Sequence, residues 1–463
     1  MLATAIIADR DTHRDGWYTV HVRFARSIAR GFAWTLLSAS SAQAGALLTT
    51  ILAARLLGQD VFGALGAVQT TAVSLSNIAS AGLGISATRY LAELCDTNPV
   101  RAGRIAGLIS LVTLITATTL AGALLALGLP WSAPLFGRGE VQSALSLSAI
   151  YVFFTTLSGF QMGALLGLRA YRALAVAAFS QTLVAPVLMY GLASSFGLRG
   201  AVAALDAAAV WLWVIQFAAL RSALRNRRIA VSYSGLWEER RIFSRFALPA
   251  ACSGIIGNLA ISASTWMVVR SAGGRAQYAQ FAAANSLRVL ILFVPAVLNK
   301  VVVPLFAATP ERSKGTFYQS FWSNVQLNAG FAFLAAGVLI FLRGPLLGLF
   351  GKHYASSPLF PVLCAAAVLE VTAAALFQAL LRQGAIWTQV GVITLWSAAL
   401  VAIAALLADR LGGAALALAY CVSWAAGTAA YAWFALRYVP RPGGASQDTQ
   451  RATGTRSLED GRC

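Results

Sequence analysis

Apolar runs of about 20 residues, the length a helix needs to cross a hydrocarbon layer of about 30 Å, recur along almost the whole chain. They fall at 32–54, 62–84, 105–129, 141–167, 172–196, 200–222, 246–269, 277–303, 318–342, 358–381, 387–408 and 412–436. Strands of a membrane barrel would read instead as alternating segments of about 10 residues. The runs therefore predict an all-α, polytopic membrane protein with about 12 transmembrane helices. Only 11% of residues are charged and 58% are hydrophobic. Soluble domains carry about 25% charged residues, so a compact water-soluble enzyme is excluded.

The 35 Lys and Arg outnumber the 16 Asp and Glu, a net charge of +19. In a soluble chain that would suggest nucleic acid. Here most of the charge lies between apolar runs, where it sets orientation and meets anionic lipid. Loops on one side carry 25 basic residues against eight on the other, which predicts that both termini are cytoplasmic. The first 30 residues carry eight charges and no apolar core of a cleavable signal. The five cysteines are scattered without a CxxC pair and read as inert thiols.

Short matches recur about 215 residues apart. Arg30 and Arg245, Arg55 and Arg270, and Pro130 and Pro345 keep that spacing, and Leu135-Phe136-Gly137-Arg138 answers Leu349-Phe350-Gly351-Lys352. Phe160-Gln161 and Phe377-Gln378, Gly200-Ala201 and Gly413-Ala414, and Ala219-Leu220-Arg221 and Ala435-Leu436-Arg437 complete the series. A collinear series of this kind predicts a duplication, each copy with six crossings and the same orientation, and a substrate path between two lobes. The expected divisions are a cytoplasmic N-terminal segment (1–31), a first lobe (32–222), a basic cytoplasmic linker (223–245), a second lobe (246–437) and a disordered cytoplasmic tail (438–463).

Ionisable side chains inside a bilayer cost about 2.5–3.5 kcal/mol on insertion scales, so each needs a partner or a purpose. Four stand out: Asp206, Arg288, Lys300 and Glu370. Arg288 and Glu370 each lie near the middle of their runs, so two readings stand: an ion pair buried in the second lobe, or Arg288 facing a central cavity as a cation for an anionic substrate. Asn285, Arg288, Pro295 and Asn299 fall on nearly one helical stripe, which cannot face lipid. Lys300, near the cytoplasmic end, either snorkels to the headgroups or lines the cavity mouth. Asp206, near the external surface, reads as structural, with Arg199 or Arg55 as its partner. Ser38, Ser40, Ser41 and Gln43, then Thr70, Ser74 and Asn77, then Ser253, Gly257, Asn258, Ser262 and Thr265 suggest as a set that the first two runs of each copy line a path; singly, each reads first as a residue for close helix packing.

The sequence contains no GxxxxGK[ST] phosphate loop and no His/Cys cluster with metal-ligand spacing, and His13, His21 and His353 all lie outside the runs. No cofactor is expected, and no extramembrane segment has room for a soluble catalytic domain.

Ala54-Arg55-Leu56-Leu57-Gly58 followed by Phe62-Gly63, and Thr88-Arg89-Tyr90-Leu91-Ala92-Glu93, resemble the polysaccharide-transport family. These are the oligosaccharide-lipid flippases of the multidrug/oligosaccharidyl-lipid/polysaccharide exporter superfamily. The resemblance implies a two-lobed, V-shaped transporter, not an enzyme, in the bacterial cytoplasmic (inner) membrane. Its substrate would be an isoprenoid-diphosphate-linked oligosaccharide moved from the inner to the outer leaflet for surface polysaccharide. Membrane lipids, a polysaccharide polymerase and glycosyltransferases are the implied partners, and nucleic acid is not. The resemblance makes Arg288 the leading cavity cation, with Arg55, Arg89 and Arg270 as weaker candidates at helix ends and Asn77, Asn258, Asn285, Asn299 and Lys300 beside it. Deep basic residues are fewer than the family pattern leads one to expect.

The main alternative is a cation-coupled multidrug antiporter of the same superfamily, in which Glu370 and Asp206 carry coupling. A peptidoglycan-precursor flippase would have two further spans. A membrane-embedded glycosyltransferase or polymerase would need an acidic pair or a long external loop, and a major-facilitator transporter an Asp-Arg-x-Gly-Arg loop.

Overall fold

The computed structural model describes residues 2–80, 82–127, 139–234, 247–307, 314–355, 357–382 and 386–438. Side chains are described within these except at 2–32, 127, 247–250, 294, 296–307, 314–318, 320, 378–382, 386 and 438. The expected tail beyond 438 and the second half of the linker, 235–245, lie outside the described residues.

Among the described residues the fold is helical, with no strand. In chain order the helices are α1 (Leu2–Ser80), α2 (Leu83–Leu94), α3 (Pro99–Leu127), α4 (Glu140–Leu147), α5 (Ala149–Gly167), α6 (Tyr171–Asn226), α7 (Ala247–Arg270), α8 (Gly274–Ala307), α9 (Lys314–Phe341), α10 (Arg343–Gly348), α11 (Leu359–Arg382), α12 (Ile386–Leu411) and α13 (Gly413–Tyr438). A single 3₁₀ turn, Lys352–Tyr354, precedes α11. Nine helices among the described residues are long and apolar enough to cross a membrane. Two of these stretches, Ala33–Leu94 and Tyr171–Asn226, are far longer than one crossing requires. The run predicted at 277–303 falls in α8, outside the nine, and carries Arg288 and Lys300.

The long helices are interrupted at glycines. Gly58 (φ 72°, ψ 173°) breaks α1 and Gly197 (φ 57°, ψ −130°) breaks α6, conformations that a Cβ disfavours. Past Gly197 the chain folds back so tightly that a methyl on Gly200 would overlap the Leu192 carbonyl. Gly273 and Gly412 also have positive φ, and they stand 215 residues after Gly58 and Gly197. The starts of α3 and α9, and of α6 and α12, keep the same spacing. The two copies thus share their turns as well as their short motifs.

The run expected at 141–167 lies in one apolar span, Glu140–Gly167, which bends at Ser148 (φ −65°, ψ −3°) and so divides into α4 and α5; the new helix start matters for Asp206 below.

The buried residues explain the shape. One apolar core is shared by both copies, joining Ala53, Phe62, Leu65 and Val68 to Tyr278, Phe281, Leu347 and Phe360. Toward the opposite ends of the helices the core divides. Leu83, Leu91, Ile105, Leu165 and Leu220 form a cluster in the first copy, and Phe321, Val325, Leu376 and Tyr431 one in the second. A common core at one end and separate cores at the other make a V, with its apex near the glycine turns. Large apolar side chains such as Phe341 (87% exposed) face outward, as lipid contact requires.

Small residues let the helices approach. Gly159, Gly163 and Gly167 present one face of α5, and a methyl on Gly163 would overlap the backbone of Gly84 in the first turn of α2. Thr88 seals this contact by donating to the Gly163 carbonyl at 2.9 Å. At the end of α6, Arg227 donates to the Leu168 carbonyl (3.0 Å) and pairs with Asp96 (2.8 Å), tying three helix ends together. Hydrogen bonds to charged groups contribute about 1.5–3 kcal/mol, discounted here because Asp96 is well exposed. Arg227→Ala is therefore expected to lower stability by about 1 kcal/mol, and Asp96→Asn by less. Thermal denaturation in detergent checks the order, which fails if Asp96→Asn is the worse of the two.

Candidate substrate path and buried charge cluster

The two copies meet chiefly through α1, which packs on α7 and α8. Gly63 sits directly on the start of α8, where any Cβ would overlap the Arg275 carbonyl oxygen, and Gly66 rests on the ring of Tyr278. One turn further, Thr70 and the Tyr278 hydroxyl share a 2.8 Å hydrogen bond, and the Trp266 indole donates to Thr71 at 2.8 Å. At the apex Phe62 stands edge-on to Tyr354, with ring centroids 6.2 Å apart, and Arg55 Nε donates to the Leu349 carbonyl at 2.6 Å. Farthest from the apex, the Asn77 amide donates to Asn258 Oδ1 at 3.2 Å. Asn77 is exposed, so this bridge lies at the fork of the V, where the cores begin to part.

Arg288 is 6% exposed and points into the second copy. Its Nε donates to Asn285 Oδ1 at 2.8 Å, the second residue of the predicted stripe, and Nη1 pairs with Glu370. The guanidinium also lies 5.3 Å from the ring centroid of Tyr420, a cation–π contact. Of the two readings the sequence allowed, this geometry is the ion pair; Arg288 does not face the cleft in this conformation. Tyr420 escaped sequence reasoning because an aromatic in an apolar run reads as ordinary core.

Asp206, 4% exposed, has a different partner from the arginines expected for it. Its Oδ1 accepts the backbone N–H of Tyr151 at 3.1 Å, the third residue of α5. The break at Ser148 exposes unsatisfied N–H groups at a helix start within the membrane, and a carboxylate is the strongest acceptor for them. Arg199 instead donates to Ser143 at 3.1 Å, and Arg55 to Leu349. Asp206→Asn keeps an acceptor and is expected to leave stability and transport close to wild type. Asp206→Ala is expected to cost about 1–2 kcal/mol. Thermal unfolding and transport assays on both variants check this; loss of transport in the Asn variant with unchanged stability would give Asp206 a coupling role instead.

The other candidates are dispersed. Arg89 is exposed on α2 and lies 5.9 Å from the Tyr90 ring centroid. Arg270 closes α7 at the negative end of its dipole. Asn299 and Lys300 lie in α8, and their side chains fall outside the described residues. Ser38 donates to the Leu174 carbonyl at 3.3 Å and so packs within the first copy. The structure thus brings together Arg288, Asn285 and Glu370 as one cluster and Asn77 with Asn258 as another. Among the described residues no group of three or more His, Cys, Asp or Glu is placed to hold a metal ion.

A helical V with its two arms joined at one end defines a two-lobed membrane transporter. Two solved structures share it: the lipid II flippase MurJ in an inward closed conformation (TM-score 0.69, 13% identity, 88% of each chain) and a multidrug resistance MATE family transporter of the MOP superfamily, inward-facing (TM-score 0.66, 17% identity, 86% of this chain and 94% of that one). The chain belongs to the polysaccharide biosynthesis protein family, whose profile matches residues 28–309. It is similar to the EPS I polysaccharide export inner membrane protein EpsE of Ralstonia nicotianae, 27% identical over 400 residues, covering 83% of this chain and 89% of that protein. Its fold is the one that those two transporters share.

Proposed function

We propose that the protein is a flippase that moves an isoprenoid-diphosphate-linked oligosaccharide from the inner to the outer leaflet of the bacterial cytoplasmic membrane. In this reading there are twelve crossings, residues 32–222 and 246–437 form the lobes, both termini are cytoplasmic, and the V opens to the cytoplasm. The observation that carries it is the placement of charge. Glu370 pairs with Arg288 inside the second lobe, and Asp206, buried inside the first, accepts the start of α5 on Oδ1 while its Oδ2 has no hydrogen-bond partner among the described residues. Away from the apex, where Arg55 donates to the Leu349 carbonyl, the groups shared between the lobes are neutral amides, hydroxyls and an indole. A cleft of neutral donors suits sugar and phosphate oxygens, whereas a cation-coupled drug antiporter needs a carboxylate among the groups that face the cleft.

The substrate enters the open cleft and breaks the Asn77–Asn258 bridge, whose freed amides donate to its oxygens. Arg288 joins them when Glu370 releases it, because a diphosphate is the stronger competitor for a guanidinium. Arg55, Arg89 and Arg270 add positive field at the helix ends. Rocking of the lobes about the apex then exposes the cleft outward. An inside-negative potential assists by about 2.3 kcal/mol per negative charge per 100 mV, so the step needs no nucleotide.

Lipid analysis of a strain lacking the protein tests this reading. A diphosphate-linked oligosaccharide should accumulate on the cytoplasmic side while surface polysaccharide disappears, and the wild-type gene should reverse both. New sensitivity to cationic drugs without accumulation would move the function to the antiporter and to Glu370.

A further inference from the structure

Away from the cleft, the first lobe carries a second opening. Both α3 and α6 pack on α5 but scarcely touch one another. The gap between them is a groove of about 490 Å³. Leu114 and Phe217 form its walls and Leu157 and Phe160 its floor. Deeper in, the Gln161 amide, oriented to satisfy both groups, meets the indole N–H and the carbonyl of Trp213, so this polar pair is closed on itself.

One end of the groove is made by the chain that leaves α6. Residues 229–233 run extended along α3, close enough that a methyl on Gly103 or Gly107 would overlap the carbonyl oxygens of Ala230 or Ser232. Ser232 N donates to the Gly103 carbonyl at 3.2 Å. Alternate residues of an extended segment face the same way. With the backbone of 230 and 232 against α3, Val231 and Tyr233 line the groove.

Arg221 stands at the rim. It is exposed and has no hydrogen bond or ion pair among the described residues. At 1.5 Å per residue it lies about 36 Å along its helix from the Gly197 turn, at headgroup depth, and Trp213 lies about 12 Å deeper. A cation with no partner among the described residues, at the interface above an apolar slot, matches the charge and shape of one lipid class.

We propose that this groove is a binding site for an anionic phospholipid, with its phosphate on Arg221 and one acyl chain between α3 and α6. The contacts between lobes run through α1, α7 and α8, so the site is separate from the transport cleft and does not rest on the flippase reading. Occupancy holds Val231 and Tyr233 in place, which couples the charge of the surrounding leaflet to the point where the linker departs.

The test is photo-crosslinking of the full-length protein in phosphatidylcholine vesicles containing a few per cent of phosphatidylglycerol with a mid-chain diazirine. Adducts should fall on peptides spanning 106–114 and 213–224. They should drop at least fivefold when the same diazirine chain is carried by phosphatidylcholine, severalfold in Arg221→Gln, and at least fivefold in Leu114→Trp, which fills the slot. Arg221 is exposed, so its substitution does not threaten the fold. Equal labelling by the two lipids, or labelling unchanged by Arg221→Gln, would overturn the proposal. So would a rise in labelling of Glu238→Gln/Glu239→Gln, which would put the linker's own acids on Arg221, or displacement of the probe by a small excess of isoprenoid phosphate, which would make the groove a substrate seat.

Discussion

Replacing Arg288 with alanine is expected to remove most of the folded protein from the membrane, a larger effect than any other single change at the candidate sites. The guanidinium is satisfied by Glu370, Asn285 and Tyr420. Deleting it strands a carboxylate in a low-dielectric interior, and breaking a buried pair from one side costs about 3–5 kcal/mol. Removing both charges together is far less costly, because no uncompensated ion remains. Arg288→Gln/Glu370→Gln should therefore recover near-normal amounts and thermal stability, which size-exclusion profiles and melting curves measure directly. Transport by the double variant should nevertheless stay at least tenfold down, because the cation that the proposed mechanism offers to a diphosphate is gone. A double variant that transports normally would make Arg288 purely architectural and remove it from the substrate path.

A bulky residue at Gly63 should give the second large effect. The backbone of α1 touches that of α8 there, and even a methyl meets the Arg275 carbonyl. Gly63→Leu acts as a wedge that holds the apex apart, disrupting the Thr70–Tyr278 and Phe62–Tyr354 contacts beside it. Each half keeps its own core at the far end, so the protein should still accumulate. The expected outcome is transport reduced by more than tenfold, with a cysteine placed at Thr70 gaining reactivity toward a water-soluble thiol reagent on the apex side. Normal transport with an unreactive cysteine would mean that this contact is not the gate.

How much of this was legible in the sequence depended on whether the cause was local. Apolar run length gave the helices, and similar depth in two runs already suggested that Arg288 and Glu370 could meet. The partner of Asp206 was not legible. It depends on a helix break at Ser148 that no glycine or proline announces, and the residue that needs the carboxylate, Tyr151, is 55 positions away. The motif around Thr88 carried the resemblance to the family, yet its described role is packing, through the Gly163 carbonyl, a pairing visible only once α2 and α5 are side by side. The groove under Arg221 was hidden for the same reason: a glycine pair in α3 reads as helix packing, and here its partner is an extended strip of chain rather than another helix.

The duplicated position shared by Phe62 and Gln277 shows how the copies have divided their labour. Gln277 turns inward to its own half, donating no contact across the V; its Oε1 accepts the Gly413 N–H at 3.1 Å and fills the space beside Gly412 that a side chain there would need. Phe62, at the same place in the first copy, reaches across to Tyr354, and the corresponding Gly197 has open space around it. Equivalent positions thus do different work, a brace within the second copy and a contact across the halves in the first. If the lobes rock as proposed, the transporter is symmetric in outline but polarised in mechanics: the second half carries its turn at Gly412 as a fixed part, while the first half keeps the grip that must let go.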